Sequence, residues 1–227
     1  MLRQIIAEHP GEFANDLTTF DKLVRAQHYD LPTRLLDVTT NPLVALFFAC
    51  NTNPSDNGKV LLITPDIEKQ KYFDSDSVSL LSNLAFLTRG QKEELFEAAK
   101  KIKLSSPKLR AEAFCQELIV DRLAQTVKME KPYFRLEVDP FDLAYVVSVT
   151  PRKIHARIKA QEGAFLLFGI TEKESGNHMS HMKVEQIEIK STSKAKIIEE
   201  LETIGISQKS LFPEISSAAD QIKRRYS

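Results

Sequence analysis

Residues 26–50 read AQHYDLPTRLLDVTTNPLVALFFAC, and the breaks in that run set the fold. Just upstream, residues 16–28 place Phe20, Leu23, Val24 and Gln27 at helical spacing, with Asn15 or Asp16 as the cap. Leu31-Pro32 breaks that helix, and residues 33–41 follow as a compact loop. Asn41-Pro42 then opens a second helix, Pro42–Cys50, because asparagine caps well and proline suits the first helical position. Its sequence, PLVALFFAC, is apolar all round, which predicts a central, buried helix.

Further along, residues 59–64 (KVLLIT) predict a doubly buried strand. Residues 77–87, 91–103 and 109–125 read as helices, the last with a stripe of Leu109, Ala113, Phe114, Leu118 and Leu123. Residues 133–138 alternate as a strand, and 144–149 and 164–170 form buried ones. Residues 183–190 (KVEQIEIK) alternate as a half-exposed strand. Between these strands, 151–161 is a short helix for which Gly163 is the natural stop. Residues 193–204 form a helix stopped by Gly205, and 216–226 a terminal helix. The fold class is α+β: helices in the first half and a mixed or antiparallel sheet mostly from the second. With no low-complexity linker, residues 1–227 read as a single domain.

The chain has 227 residues, 42% hydrophobic, with 31 basic and 31 acidic side chains. The net charge of zero exerts no global pull toward nucleic acid or anionic lipid, so nucleic-acid binding is not favoured. The longest apolar run, residues 43–50, is far short of the roughly 20 residues that span a bilayer. Glu8, His9 and Pro10 interrupt the N-terminal stretch, so it does not read as a signal peptide. Two cysteines, Cys50 and Cys115, cannot build a disulfide framework. A reduced, soluble, cytoplasmic protein is expected.

Chemistry concentrates in the opening stretch. Arg34 and Asp37 stand beside a helix expected to be buried, so each needs a partner, and each other is one option. One reading makes them a structural staple. The other makes Arg34, Asp37, Thr39, Thr40 and Asn41 a pocket for a small phosphorylated ligand. The amides of Leu43 and Val44 are orphan donors at a helix N-terminus, and arginine offers a fork for phosphate. Against this, Asn41 and Thr39 can cap the helix internally. His28 is either a hydrogen-bonded histidine at the core edge or a ribose ligand or base. A second candidate lies at Arg157, Lys159, Gln161, Glu162 and Gly163, where Gln161 and Glu162 sit at a tight helix-to-strand turn. His178 and His181 lack further ligands at diagnostic spacing, so no metal is expected. No Walker loop, Rossmann fingerprint, HExxH or nucleophile elbow is present. Lys223, Arg224 and Arg225 make a short, solvated basic end.

The run QHYDLPTRLLDVTTNPLVALFFA (residues 27–49) closely resembles the signature of the FRG domain, a bacterial and phage family named for an N-terminal Phe-Arg-Gly motif. SLLSNLAFL (79–87), RIKAQEGAFLLFG (157–169) and GISQKSLFPEI (205–215) resemble further blocks of it, in the expected order. The naming motif is absent, so relative to the family the chain reads as N-terminally truncated, with a misassigned start or loss of that strand as the other readings. Asp30 stands where glycine is usual, and Val38 where tryptophan is usual. The family is similar in proposed fold to ADP-ribosyltransferases of the toxin and phage-defence type, which split NAD and attach ADP-ribose to an acceptor. The resemblance therefore implies NAD as substrate and assigns Gln161 or Glu162 to the late acceptor-orienting role, with His28 as a further catalytic candidate. The early arginine of that scheme belongs to the missing motif. A non-catalytic FRG remnant acting as a binding or scaffold module, or a nucleic-acid-processing domain, are the alternative readings.

Overall fold

Residues 1–170 and 182–213 are described by the structure, a computed structural model. In chain order the elements are α1 (Leu2–Glu8), α2 (Thr19–His28), β1 (Leu35–Thr39), α3 (Pro42–Cys50), β2 (Gly58–Thr64), β3 (Gln70–Tyr72), α4 (Asp76–Asn83), α5 (Arg89–Lys101), α6 (Pro107–Phe114), α7 (Leu118–Lys128), β4 (Val146–Thr150), α8 (Ala156–Ala160), β5 (Gly163–Phe168), β6 (Lys183–Ile189), α9 (Lys194–Thr203) and α10 (Gln208–Leu211). The class is α+β, as expected. One sheet has the order β1-β5-β4-β3, and a second pairs β2 with β6. The expected terminal helix, the basic end and His178 and His181 fall outside the described residues.

Contacts divide the chain into two units. The first comprises Met1–Leu36, Ile67–Val149 and, among the described residues, 166–170. The second comprises Asp37–Asp66, Thr150–Phe165 and 182–213. The two interleave in sequence, so no linker announces them, and the sequence reads as one domain.

In the first unit α4 packs on α2 and α7. Thr18 starts α2 with a reciprocal cap, its hydroxyl accepting from the Asp21 amide while Asp21 accepts from the Thr18 amide. Phe20, Leu81, Leu84, Leu95, Phe114 and Leu123 are fully buried. The buried Asn83 side chain donates to Ser79 O (2.9 Å) and Glu130 Oε1 (3.1 Å), and Glu130 Oε2 accepts from the amide and hydroxyl of Thr19 (2.6 Å each). The 79–87 block is therefore a core helix tied down by a polar network.

Four expectations are corrected here. The helix expected over 109–125 is two, because the chain bends between Phe114 and Leu118. The bend lets Phe114 and the Ile119, Val120, Leu123, Val127 stripe both reach the core, and it leaves Leu109 and Leu118 exposed. Residues 133–138 are not a strand. Local turns, Phe134 N to Lys131 O (3.0 Å) and Glu137 N to Arg135 O (3.0 Å), bury Phe134 and Val138 while Tyr133 stays 96% exposed. The 33–41 stretch is not all loop, since its LLDVT segment becomes β1. Phe168 N donates to Arg34 O (3.0 Å) and Thr40 N to Glu162 O (3.1 Å), a pattern that makes β1 and β5 antiparallel. Finally, β2 is not doubly buried: Leu61 and Leu62 are exposed, because β2 pairs only with β6 among the described strands.

In the second unit α3 buries one stripe, Val44, Phe47 and Cys50, against α9 and β2. Leu43 and Phe48 are 39% and 36% exposed, so the all-apolar helix is not buried all round. Val44 and Phe47 form a core with Leu201 and Leu211. The buried Lys194 donates its ammonium to Thr52 O (2.8 Å) and Asn53 O (3.1 Å), placing a cation beyond the C-terminus of α3, where the helix dipole favours one. Gly58 lies so close to this turn that a Cβ would stand 2.4 Å from Ala49 O.

Candidate functional site

In the second unit the end of β1 meets the α8–β5 turn. Thr39 Oγ1 accepts from Asn41 N (3.0 Å) and donates to Gln161 O (2.7 Å). Thr40 Oγ1 donates to Glu162 O (3.2 Å), beside the bond from its amide. Asn41 works in two directions. Its Oδ1 accepts from Leu43 N (2.9 Å) as the cap of α3, and its Nδ2 donates to Glu162 Oε1 (2.9 Å). The carboxylate is thus held at the mouth of α3 by the residue that caps it. Glu162 is exposed and takes a left-handed backbone, φ 46°. That region is costly for a side chain other than glycine, and its use points to a site worth holding. The stop of α8 is accordingly Glu162 and not Gly163.

A third stretch joins the same junction. Gln161 Nε2 donates to Leu211 O (3.0 Å) at the end of α10. The Arg157 guanidinium lies 5.1 Å from the centre of the Phe212 ring, which also packs edge-on against Phe48. Three sequence blocks far apart in the chain therefore converge here. Asp37, the remaining candidate of this unit, is exposed.

His28 and Arg34 belong to the first unit. Arg34 is half-buried, and its Nη1 donates to Phe168 O (2.5 Å). The partner that the sequence required for this cation is a main-chain carbonyl. Burial pushes the guanidinium pKa down to about 10. Burial also lowers the Lys92 ammonium on α5, and the nearby charge of Arg34 adds to that effect. His28 is exposed, its ring centre 5.5 Å from that of Tyr29. The Tyr29 hydroxyl donates to Glu12 Oε2 (2.8 Å), which raises its pKa.

The sequence reading missed a cleft of about 510 Å³ in the first unit, rimmed by Asp76, Lys131, Tyr133, Arg135, Glu137 and Asp142. Lys131 pairs with Asp76 (2.8 Å), and burial raises the Asp142 carboxyl. Tyr133, Arg135 and Glu137 of its rim lie in the stretch misread as a strand. The misplaced alternation hid it, and the mixed charges of 130–137 were the available signal. Among the described residues no three metal-ligating side chains cluster, and no helix is long and apolar enough to cross a membrane.

The FRG domain family model matches residues 3–58, which include the signature run, so this part of the chain is similar to the FRG domain. The match runs from α1 through α3 to the start of β2. The blocks at 79–87, 157–169 and 205–215 lie outside it. No curated protein and no solved structure matches the chain. Asp30, which stands where glycine is usual, has φ 60°, a left-handed conformation that aspartate tolerates better than most residues.

Proposed function

We propose that the chain is an ADP-ribosyltransferase-like enzyme that consumes NAD, with Glu162 as its reacting-centre carboxylate. The observation that carries this reading is the clamp at the junction. Asn41 fixes the Glu162 carboxylate from 121 positions away in sequence, on a strained backbone, in solvent reach. In such a reaction the bond between the ribose carbon and nicotinamide breaks, and its electron pair leaves with nicotinamide, which becomes neutral. Positive charge develops on the ribose, and a fixed carboxylate stabilises it. An acceptor nucleophile then bonds to that carbon and gives up its proton. Thr40 and Asn41 orient the carboxylate, and Gln161 ties the turn to α10. A toxin or phage-defence setting goes with this activity.

A second reading, a binding module without turnover, is favoured by the completeness of the hydrogen bonding. Thr39, Asn41, Gln161 and the Leu43 amide already satisfy one another. Nicotinamide release separates the two. The wild-type chain with NAD should release nicotinamide. Glu162→Gln, which keeps an oxygen for Asn41 and removes the charge, should slow that release by about 10²–10³-fold, the size of losing one electrostatic partner of a transition state. Heat of NAD binding without release would favour the binding module. Neither heat nor release at millimolar NAD would overturn both.

A further inference from the structure

The cleft of the first unit, about 510 Å³, plays no part in the Glu162 reading. Its volume falls within the range of roughly 300–1,000 Å³ found for small-molecule sites. The buried part of its lining is apolar: Leu80, Phe134 and Val138. Tyr133 stands beside them with its ring 96% exposed, so it is packed on almost nothing of the protein. A large aromatic ring left in water next to an apolar wall offers a second apolar group a surface on either side.

The charged side chains of the cleft divide into a closed pair and three open groups. Lys131 is closed, its ammonium donating to Asp74 O and pairing with Asp76 Oδ1 (2.8 Å). Arg135, Glu137 and Asp142 line the same cleft and make no ion pair among the described residues. Arg135 and Glu137 are exposed, and Asp142 is half-buried. The charges that reach Asp142 are engaged elsewhere or stand off. Asp139 is gripped by Arg110 through both oxygens (3.2 and 2.7 Å), and the Lys69 ammonium lies over the Tyr145 ring, 3.9 Å from its centre. Lys71 forms no ion pair among the described residues. Burial outweighs both lysines and raises the Asp142 carboxyl. A partly dehydrated carboxyl gains from a cationic donor brought to it, and an open guanidinium presents a fork that fits a carboxylate. One cleft therefore combines an open cation, open anions and an apolar wall. A ligand that answers all three carries an ammonium, a carboxylate and an apolar body on one small frame.

We propose that this cleft binds a free α-amino acid with a large apolar side chain. Arg135 takes its carboxylate, Asp142 and Glu137 take its ammonium, and its side chain lies against Phe134 and Tyr133. The site uses no residue of the Glu162 junction and does not rest on NAD turnover.

The test is calorimetry of the full chain with phenylalanine at millimolar concentration, and with two probes that each lack one charge, phenethylamine and hydrocinnamate. Phenylalanine should bind, and each probe should bind about tenfold more weakly or worse, the effect of losing one charged hydrogen-bond partner. Arg135→Ala should weaken phenylalanine by a similar factor and leave phenethylamine no weaker. Asp142→Asn should weaken phenylalanine and leave hydrocinnamate no weaker. Arg135 is exposed and asparagine matches aspartate in shape, so both variants keep the fold. No heat with phenylalanine, equal affinity for all three compounds, or unchanged phenylalanine binding in both variants would overturn the proposal. The readout needs no NAD, so its failure leaves the Glu162 reading standing, and the converse also holds.

Discussion

Arg34 and the Thr39–Asn41 turn are separated by five positions in one signature run, yet they handle charge in opposite ways. Around Asn41 each polar group meets another within the second unit: cap to amide, amide to carboxylate, hydroxyl to carbonyl. Around Arg34 the cation meets a single main-chain carbonyl, and burial lowers its pKa to about 10. The closed network fixes a carboxylate by side chains, and the guanidinium is held by main chain alone. The contrast teaches that one run of sequence can carry both a side-chain network and a cation held by main chain.

The comparison breaks most completely at the core beneath the junction. Phe47 is fully buried with Val44, Leu201 and Leu211, so Phe47→Ala should cost about 3–5 kcal/mol in denaturant unfolding. It should also release the Glu162 clamp. A loss below about 1 kcal/mol would mean that this core does not support the junction. Asn41→Ala should cost about 1 kcal/mol, the usual size of an N-cap. Asn41→Asp keeps the cap oxygen and sets a like charge against Glu162, so it should retain helix stability and lose nicotinamide release. If both variants behave like the parent, the closed network is incidental.

The smallest effect concerns uncompensated charge in the first unit. Burial raises the Asp142 carboxyl above its ordinary value of 3.8, with Lys69 opposing the shift. A carboxyl raised on folding favours the folded state when protonated, and that contribution fades as pH rises through the raised value. Asp142→Asn should therefore melt slightly higher than the parent at pH 7, and the gap should close toward pH 4. A gap that widens on acidification would show that Asp142 is held by a cation and that the first unit compensates its charges after all.

Where local chemistry decides, the sequence was legible. Asn41-Pro42 starts α3 through its own side-chain cap, and Gly205, at φ 87°, follows the end of α9 where a left-handed residue is wanted. The alternation of KVEQIEIK becomes β6. Where a partner decides, the sequence misled. The alternation at 133–138 found no strand to pair with, and LLDVT found one in β5. The apolar stripe over 109–125 gave no hint of the bend at Cys115, whose sulfur accepts from Val138 N (3.4 Å).

The same division holds for the candidate site. The amino-acid order alone determined which residue types stand ready: an asparagine cap, hydroxyls beside it, an arginine fork, and a glutamine and glutamate at a turn. Only tertiary structure decided that Asn41 would reach Glu162, that Gln161 would bind the end of α10, and that Arg34 would meet the Phe168 carbonyl. Caps and left-handed turns depend on neighbours within a few bonds, so their energetics are written in the local sequence. Burial, charge compensation and strand pairing depend on atoms brought together from distant parts of the chain, and these exist only once the chain has folded.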